Sequence, residues 1–133
     1  MITNYLKKYP LSLLTIITIW ILCLIRIPET PVSQVPFIDK WTHFAMYGGL
    51  CTIIWLEYLR YHPKIHPAKV ILYALIAPII MSGLIELAQA YCTTCRSGDW
   101  LDFAANTVGV LLGNVIGFIG LKWIIRPKKG FRN

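Results

Sequence analysis

The sequence predicts an all-α integral membrane protein: a four-helix bundle with both termini on the inner side and short outer loops. Three observations predict it. Apolar residues make up 56% of the 133 residues and mean hydropathy is +0.59, more apolar surface than a soluble domain of this size can hide. These residues fall into four runs close to the roughly 20 residues a helix needs to cross a bilayer. The basic residues flank the runs with a strong bias to one side.

The length fits one domain, residues 1–133. A first helix is expected from about Tyr9 to Ile27, after Lys7 and Lys8. Its apolar run, Leu11 to Ile25, resembles a signal peptide, but Arg26-Ile27-Pro28 follows where a small-residue cleavage site would stand. An uncleaved membrane helix is the reading that results. Pro28, Pro31 and Pro36 then impose an extended linker with no helix of its own.

The second helix is expected from about Asp39, a good N-cap residue, to Tyr61. Lys40, His43 and Tyr47 follow i, i+3, i+7 and lie along one stripe of it. A basic, proline-containing loop, Arg60 to Pro67, closes the helix, and its His62 and His66 read as solvated side chains. The third helix runs from about Ala68 to Tyr91, with a mild kink at Pro78 that neighbouring helices can tolerate. Glu86 and Gln89 sit i, i+3 in its last turns. The fourth runs from about Trp100 to Ile125, followed by a basic tail. Gly109, Gly113 and Gly117 recur every four residues, with Gly120 near the same face; small residues so spaced let another backbone approach closely. Packing inside one protomer is the first reading of that row, and a homodimer seam the second.

Orientation follows from charge. With the N-terminus in the cytoplasm, only Arg26, Lys40 and Arg96 of the thirteen basic residues fall outside. Of the six acidic residues only Glu57 falls inside. Asp39, Lys40 and His43 then open helix two, Glu86 and Gln89 close helix three, and Asp99, Asp102 and Asn106 open helix four, all at the outer surface. Ionisable groups at hydrocarbon depth face a partner or a cavity, so these residues are expected to form one site open to the outer leaflet.

The net charge of +7 does not indicate nucleic acid, because the basic residues form no single face; lipid headgroups are the better partner. Cys23 and Cys51 lie in apolar runs and read as small buried residues. Cys92 and Cys95 form a lone C-x-x-C, and a structural zinc site needs four ligands. No metal site is expected, and no cofactor is indicated.

D-K-W-T-H-F-A-M-Y (Asp39 to Tyr47), E-L-A-Q (Glu86 to Gln89) and R-S-G-D-W-L-D-F-A-A-N-T-V-G-V-L-L-G (Arg96 to Gly113) resemble the motifs of the VanZ-like family of small bacterial membrane proteins. The likeness covers Asp39 to Gly113 at motif level and the first helix only in kind. It implies Asp39, Lys40, His43, Tyr47, Glu86, Gln89, Arg96, Asp99, Asp102 and Asn106 as family positions. It also implies the bacterial cytoplasmic membrane, and a link to resistance against teicoplanin, a glycopeptide with a lipid tail. Cys92 and Cys95 stand outside the pattern and can form a local disulfide on the oxidising outer side.

Three readings of the polar residues compete. In the first, the site binds an anionic envelope lipid, a lipid-linked precursor or a lipidated glycopeptide. Lys40 and Arg96 would meet phosphate or carboxylate groups, and His43 would tune the site by its protonation. In the second, His43 with Glu86, Asp99 or Asp102 forms an acid–base set of an enzyme acting on a polyprenyl-phosphate or phospholipid headgroup, or ligates a divalent ion. No G-x-S-x-G or H-E-x-x-H accompanies it. In the third, the polar residues only hold helices together, at about 0.6 kcal/mol per hydrogen bond. Lipid binding is preferred, with Glu86, His43, Arg96 and Asp102 its strongest candidates.

Overall fold

A computed structural model describes residues 2–26 and 28–125, and among these there are five helices and no strand. They are α1 (Ile2–Lys8), α2 (Pro10–Leu24), α3 (Ile38–Tyr61), α4 (Pro67–Cys92) and α5 (Trp100–Ile125). Helix α3 is central, packing along α5 and against α2 and α4, while α4 also touches α5 and α2. The predicted basic tail, with Arg126, Lys128, Lys129 and Arg132, lies outside the described residues, as does Ile27.

Several expected boundaries move, each for a local reason. The segment before Tyr9 is helical, and the chain breaks at Tyr9 (φ −128°, ψ 45°) because Pro10 disfavours helical geometry in the residue before it. Helix α2 stops at Leu24, with Ile25 extended, short of the expected Ile27. The proline linker holds a single 3₁₀ turn, Pro31–Gln34, where no helix was expected; Pro31 pre-sets its first position, and the Thr30 amide donates to Ser33 Oγ at 3.1 Å. Asp39 does not cap α3. The cap position is Phe37, in the left-handed region (φ 59°), and Asp39 lies in the first turn, where its charge still suits the helix dipole.

Helix α4 shows how the protein accommodates Pro78. A proline has no amide hydrogen, so the carbonyl four residues earlier, Ala74, loses its helical donor. A π-helical turn, Ile71–Ile76, widens the helix just ahead of the proline. The freed Ala74 oxygen accepts from Asn114 Nδ2 of α5 at 2.6 Å and from Cys51 Sγ of α3 at 3.3 Å. The buried proline is thus tied to two neighbouring helices.

The glycine row of α5 faces α3. A Cβ at Gly109 would run into the Phe44 carbonyl oxygen, one at Gly113 would lie 2.5 Å from the Gly48 oxygen, and one at Gly117 would overlap the Trp55 ring. The row therefore packs against α3 inside the protomer, the first of the two readings. Gly120 does not join it: the space beside it is open.

Polarity is arranged inside out. Leu14, Ile21, Ile80, Leu87, Val108 and Ile119 point outward, while His43, Glu57, Ser82, Glu86, Gln89, Asp102 and Asn106 are buried. Helices α4 and α5 are long and apolar enough to cross a membrane, and α2 is a shorter apolar helix. At one end Glu57 is buried against the start of α2. Its Oε1 accepts from the Leu11 amide at 2.8 Å, and its Oε2 from the Ser12 amide at 3.0 Å and the Ser12 hydroxyl at 2.6 Å. The other predicted polar residues gather at the opposite end of α3, roughly 21 Å away by helix rise.

Candidate functional site

The start of α3, the end of α4 and the start of α5 meet at that end, which brings the motif residues together. Lys40 Nζ lies 2.6 Å from Asp99 Oδ2 and 2.9 Å from Asp102 Oδ1. One turn further along α3, His43 Nε2 is 3.7 Å from the other Asp102 oxygen, and His43 Nδ1 is 3.1 Å from Asn106 Oδ1. Asn106 Nδ2 donates to Ser82 Oγ at 2.8 Å. That bond turns the amide oxygen toward His43, so Nδ1 carries the ring proton and Nε2 faces Asp102. One further turn along the stripe, Tyr47 is fully buried with its hydroxyl facing Ser82.

Glu86 and His43 share this end without bonding to each other. Glu86 Oε2 accepts from the Asp99 amide at 2.9 Å, fixing the loop that leads into α5. Its second oxygen is buried and has no hydrogen-bond partner among the described residues. It makes no ion pair with Lys40 or Arg96. Gln89 Nε2 donates to the Cys23 carbonyl at 2.8 Å and ties α4 to the end of α2. Asp99 is the N-cap of α5, its Oδ1 accepting from the Leu101 amide at 2.8 Å. Cys92 and Cys95, which could pair on the oxidising side, are exposed free thiols in the structure.

The two cations expected to meet a headgroup differ in their surroundings. Lys40 is ion-paired with two carboxylates. Arg96 is not: one terminal nitrogen approaches the Leu22 carbonyl at 3.5 Å, and its Nε is buried without a hydrogen-bond partner among the described residues. Arg96 and His43 line a groove of about 420 Å³ between the end of α2, the linker and α3, with Leu22, Cys23, Val32 and Met46 among its apolar walls. Asp39 reaches the same groove but takes no part in the buried network.

The hydrogen bond from Lys40, helped by the Leu101 amide, holds the Asp99 carboxyl below the usual aspartate range. Its contribution is therefore present above the ordinary aspartate pKa and is lost as the pH falls through the depressed one. Asp99→Asn removes the ion pair but keeps a good cap. It should lower Tm at neutral pH, and the gap to wild type should close in acid; thermal unfolding across pH checks this.

Ser82 escaped the sequence reading although Ser82, Glu86 and Gln89 stand i, i+4, i+7 on one face of α4. Arg26, Glu29 and Cys23 carried no such signal, because linker and helix-end residues are placed only by packing.

A family model described as VanZ/LLP1 matches residues 2–121. No curated protein and no solved structure matches the chain.

Proposed function

The chain belongs to the VanZ/LLP1 family, and from that premise we propose that it is a bacterial inner-membrane protein that binds an anionic envelope lipid or a lipidated glycopeptide. In this reading α2 to α5 form a four-helix bundle across the membrane with both termini inside, as the distribution of basic residues favours. The apolar outward faces then meet lipid, and the buried polar residues satisfy one another. The motif end lies at the outer leaflet.

The observation that carries the reading is Arg96. A guanidinium with a buried, unpartnered Nε stands in the wall of a groove that has an apolar side, Leu22, Cys23, Val32, Ile38 and Met46, and a polar side that includes Glu29, Asp39 and His43. Arginine suits a phosphate or carboxylate because its planar fork can donate two parallel hydrogen bonds. Behind it, the Lys40–Asp99–Asp102 and His43–Asn106–Ser82 contacts hold the groove wall in place. A lipidated glycopeptide presents the same pairing of anion and chain, which is where the teicoplanin link of the family's namesake would enter.

Native mass spectrometry of the purified protein tests it. The wild type should retain a phospholipid or prenyl lipid through purification. Arg96→Ala should lose it, by about tenfold or more in affinity for one charge-assisted bond pair, with helix content unchanged. Equal retention by the variant would end the reading.

One observation favours a second reading, an enzyme acting on a polyprenyl-phosphate or phospholipid headgroup. Asn106 orients His43 so that Nε2 is its proton-accepting atom, and His43 lines the groove, as a general base would need. Glu86 and Asp102 would then be its acidic partners. An enzyme would turn over the retained lipid, and His43→Ala or Glu86→Gln would abolish turnover while leaving binding intact.

A further inference from the structure

The Arg96 guanidinium borders a second hollow, of about 580 Å³, lined by Arg26, Pro28, Glu29, Cys95 and Arg96. Pro28, Glu29 and Arg96 line both hollows, so the two adjoin at these residues. Arg26 comes from the end of α2 and Arg96 from the loop between α4 and α5. They lie 70 positions apart in sequence, and only packing brings them to one space.

Among the described residues neither arginine has a carboxylate within ion-pair distance, whereas Lys40 has two. Two guanidiniums beside one hollow repel each other, Glu29 on the same wall offsets only one of them, and an anion between them removes the remaining cost. Glu29 limits which anion. Two guanidiniums and one carboxylate leave a net charge of one, which a phosphodiester neutralises; a phosphomonoester or diphosphate would place excess negative charge beside Glu29.

We infer that Arg26 and Arg96 together grip the phosphodiester of a lipid headgroup in this hollow, with the lipid chain lying along the apolar groove past Leu22 and Met46, and that Glu29 disfavours more highly charged phosphates. The inference rests on the lipid-binding reading and adds to it a second arginine, a headgroup class and a residue that sets specificity. Both guanidiniums can donate in pairs to phosphate oxygens. Arg26 is exposed, so its replacement leaves the helix packing alone.

The test is a titration of the full-length protein, read by native mass spectrometry, with dioleoylphosphatidylglycerol, dioleoylphosphatidic acid, dioleoylphosphatidylcholine and inorganic phosphate as separate probes. Wild type should prefer phosphatidylglycerol over the other three. Arg26→Ala and Arg96→Ala should each weaken that binding by about tenfold or more, and Arg26→Lys should fall between, keeping charge but not the fork. Glu29→Gln should raise affinity for phosphatidic acid more than for phosphatidylglycerol. Loss on Arg96→Ala with wild-type binding by Arg26→Ala would overturn this inference and leave lipid binding standing. Wild-type binding by both variants would overturn both. Arginine-dependent binding of inorganic phosphate with no lipid retained would show a free anion as the ligand and overturn the lipid assignment.

Discussion

Gly109→Ala should destabilise the protein by about 2 kcal/mol or more, although alanine is the better helix former by about 1 kcal/mol. The sign is decided by what the new methyl group meets. At Gly109 it would run into the Phe44 carbonyl oxygen and come within 3.1 Å of the Gly48 amide nitrogen, and neither can move without moving α3. The helices must separate, and α3–α5 is the contact along which Lys40 and His43 reach Asp99, Asp102 and Asn106. Where helices meet in lipid, close packing replaces the hydrophobic effect as the main attraction, so the loss has no ready compensation. Gly120→Ala is the control. It adds the same methyl group to open space and should leave Tm unchanged or raise it. Thermal unfolding of both variants in one detergent gives the comparison, and a loss at Gly120 equal to that at Gly109 would refute the packing account.

Glu57→Ala should cost about 3 kcal/mol, and Glu57→Gln measurably less. Glu57 is 2% exposed, and its carboxylate takes three hydrogen bonds from the first residues of α2. The amides at a helix N-terminus have no partner within the helix, and an anion there also meets the positive end of the helix dipole. Alanine leaves those donors buried and unanswered. Glutamine keeps one acceptor oxygen without the charge, and so recovers part of the loss. Headgroup binding at the far end of α3 should be unchanged in Glu57→Gln, which separates this anchor from the groove. Thermal unfolding together with lipid retention measures both effects.

The roles of Glu57 and Arg96 show how far the sequence could be read. Charge placement alone put Glu57 apart from the other acids and grouped Lys40, His43, Glu86, Asp99, Asp102 and Asn106 at one level, because helix length and the side of each basic residue fix depth. The structure brings those six together. Partner choice within the group was not legible. Lys40 and Arg96 looked equivalent as cations, yet Lys40 is held by two aspartates while Arg96 faces the groove. For His43 the sequence offered Glu86, Asp99 and Asp102 alike, and the structure sets it against Asp102 and Asn106. The helical stripe places a side chain within one face, but a rotation of the helix by a fraction of a turn selects between neighbours a few ångströms apart.

The sequence by itself determined that this chain is helical, where its long apolar segments fall, and which polar residues share an end, since these follow from periodicity, proline positions and charge order along the chain. Only the tertiary structure decided that the glycine row of α5 is spent against α3, that the carbonyl freed by Pro78 is answered by Asn114 and Cys51, and that Arg26 stands beside Arg96. Those outcomes depend on how far apart the helix backbones lie and how each helix is turned about its axis. Both are set by contacts between residues distant in sequence.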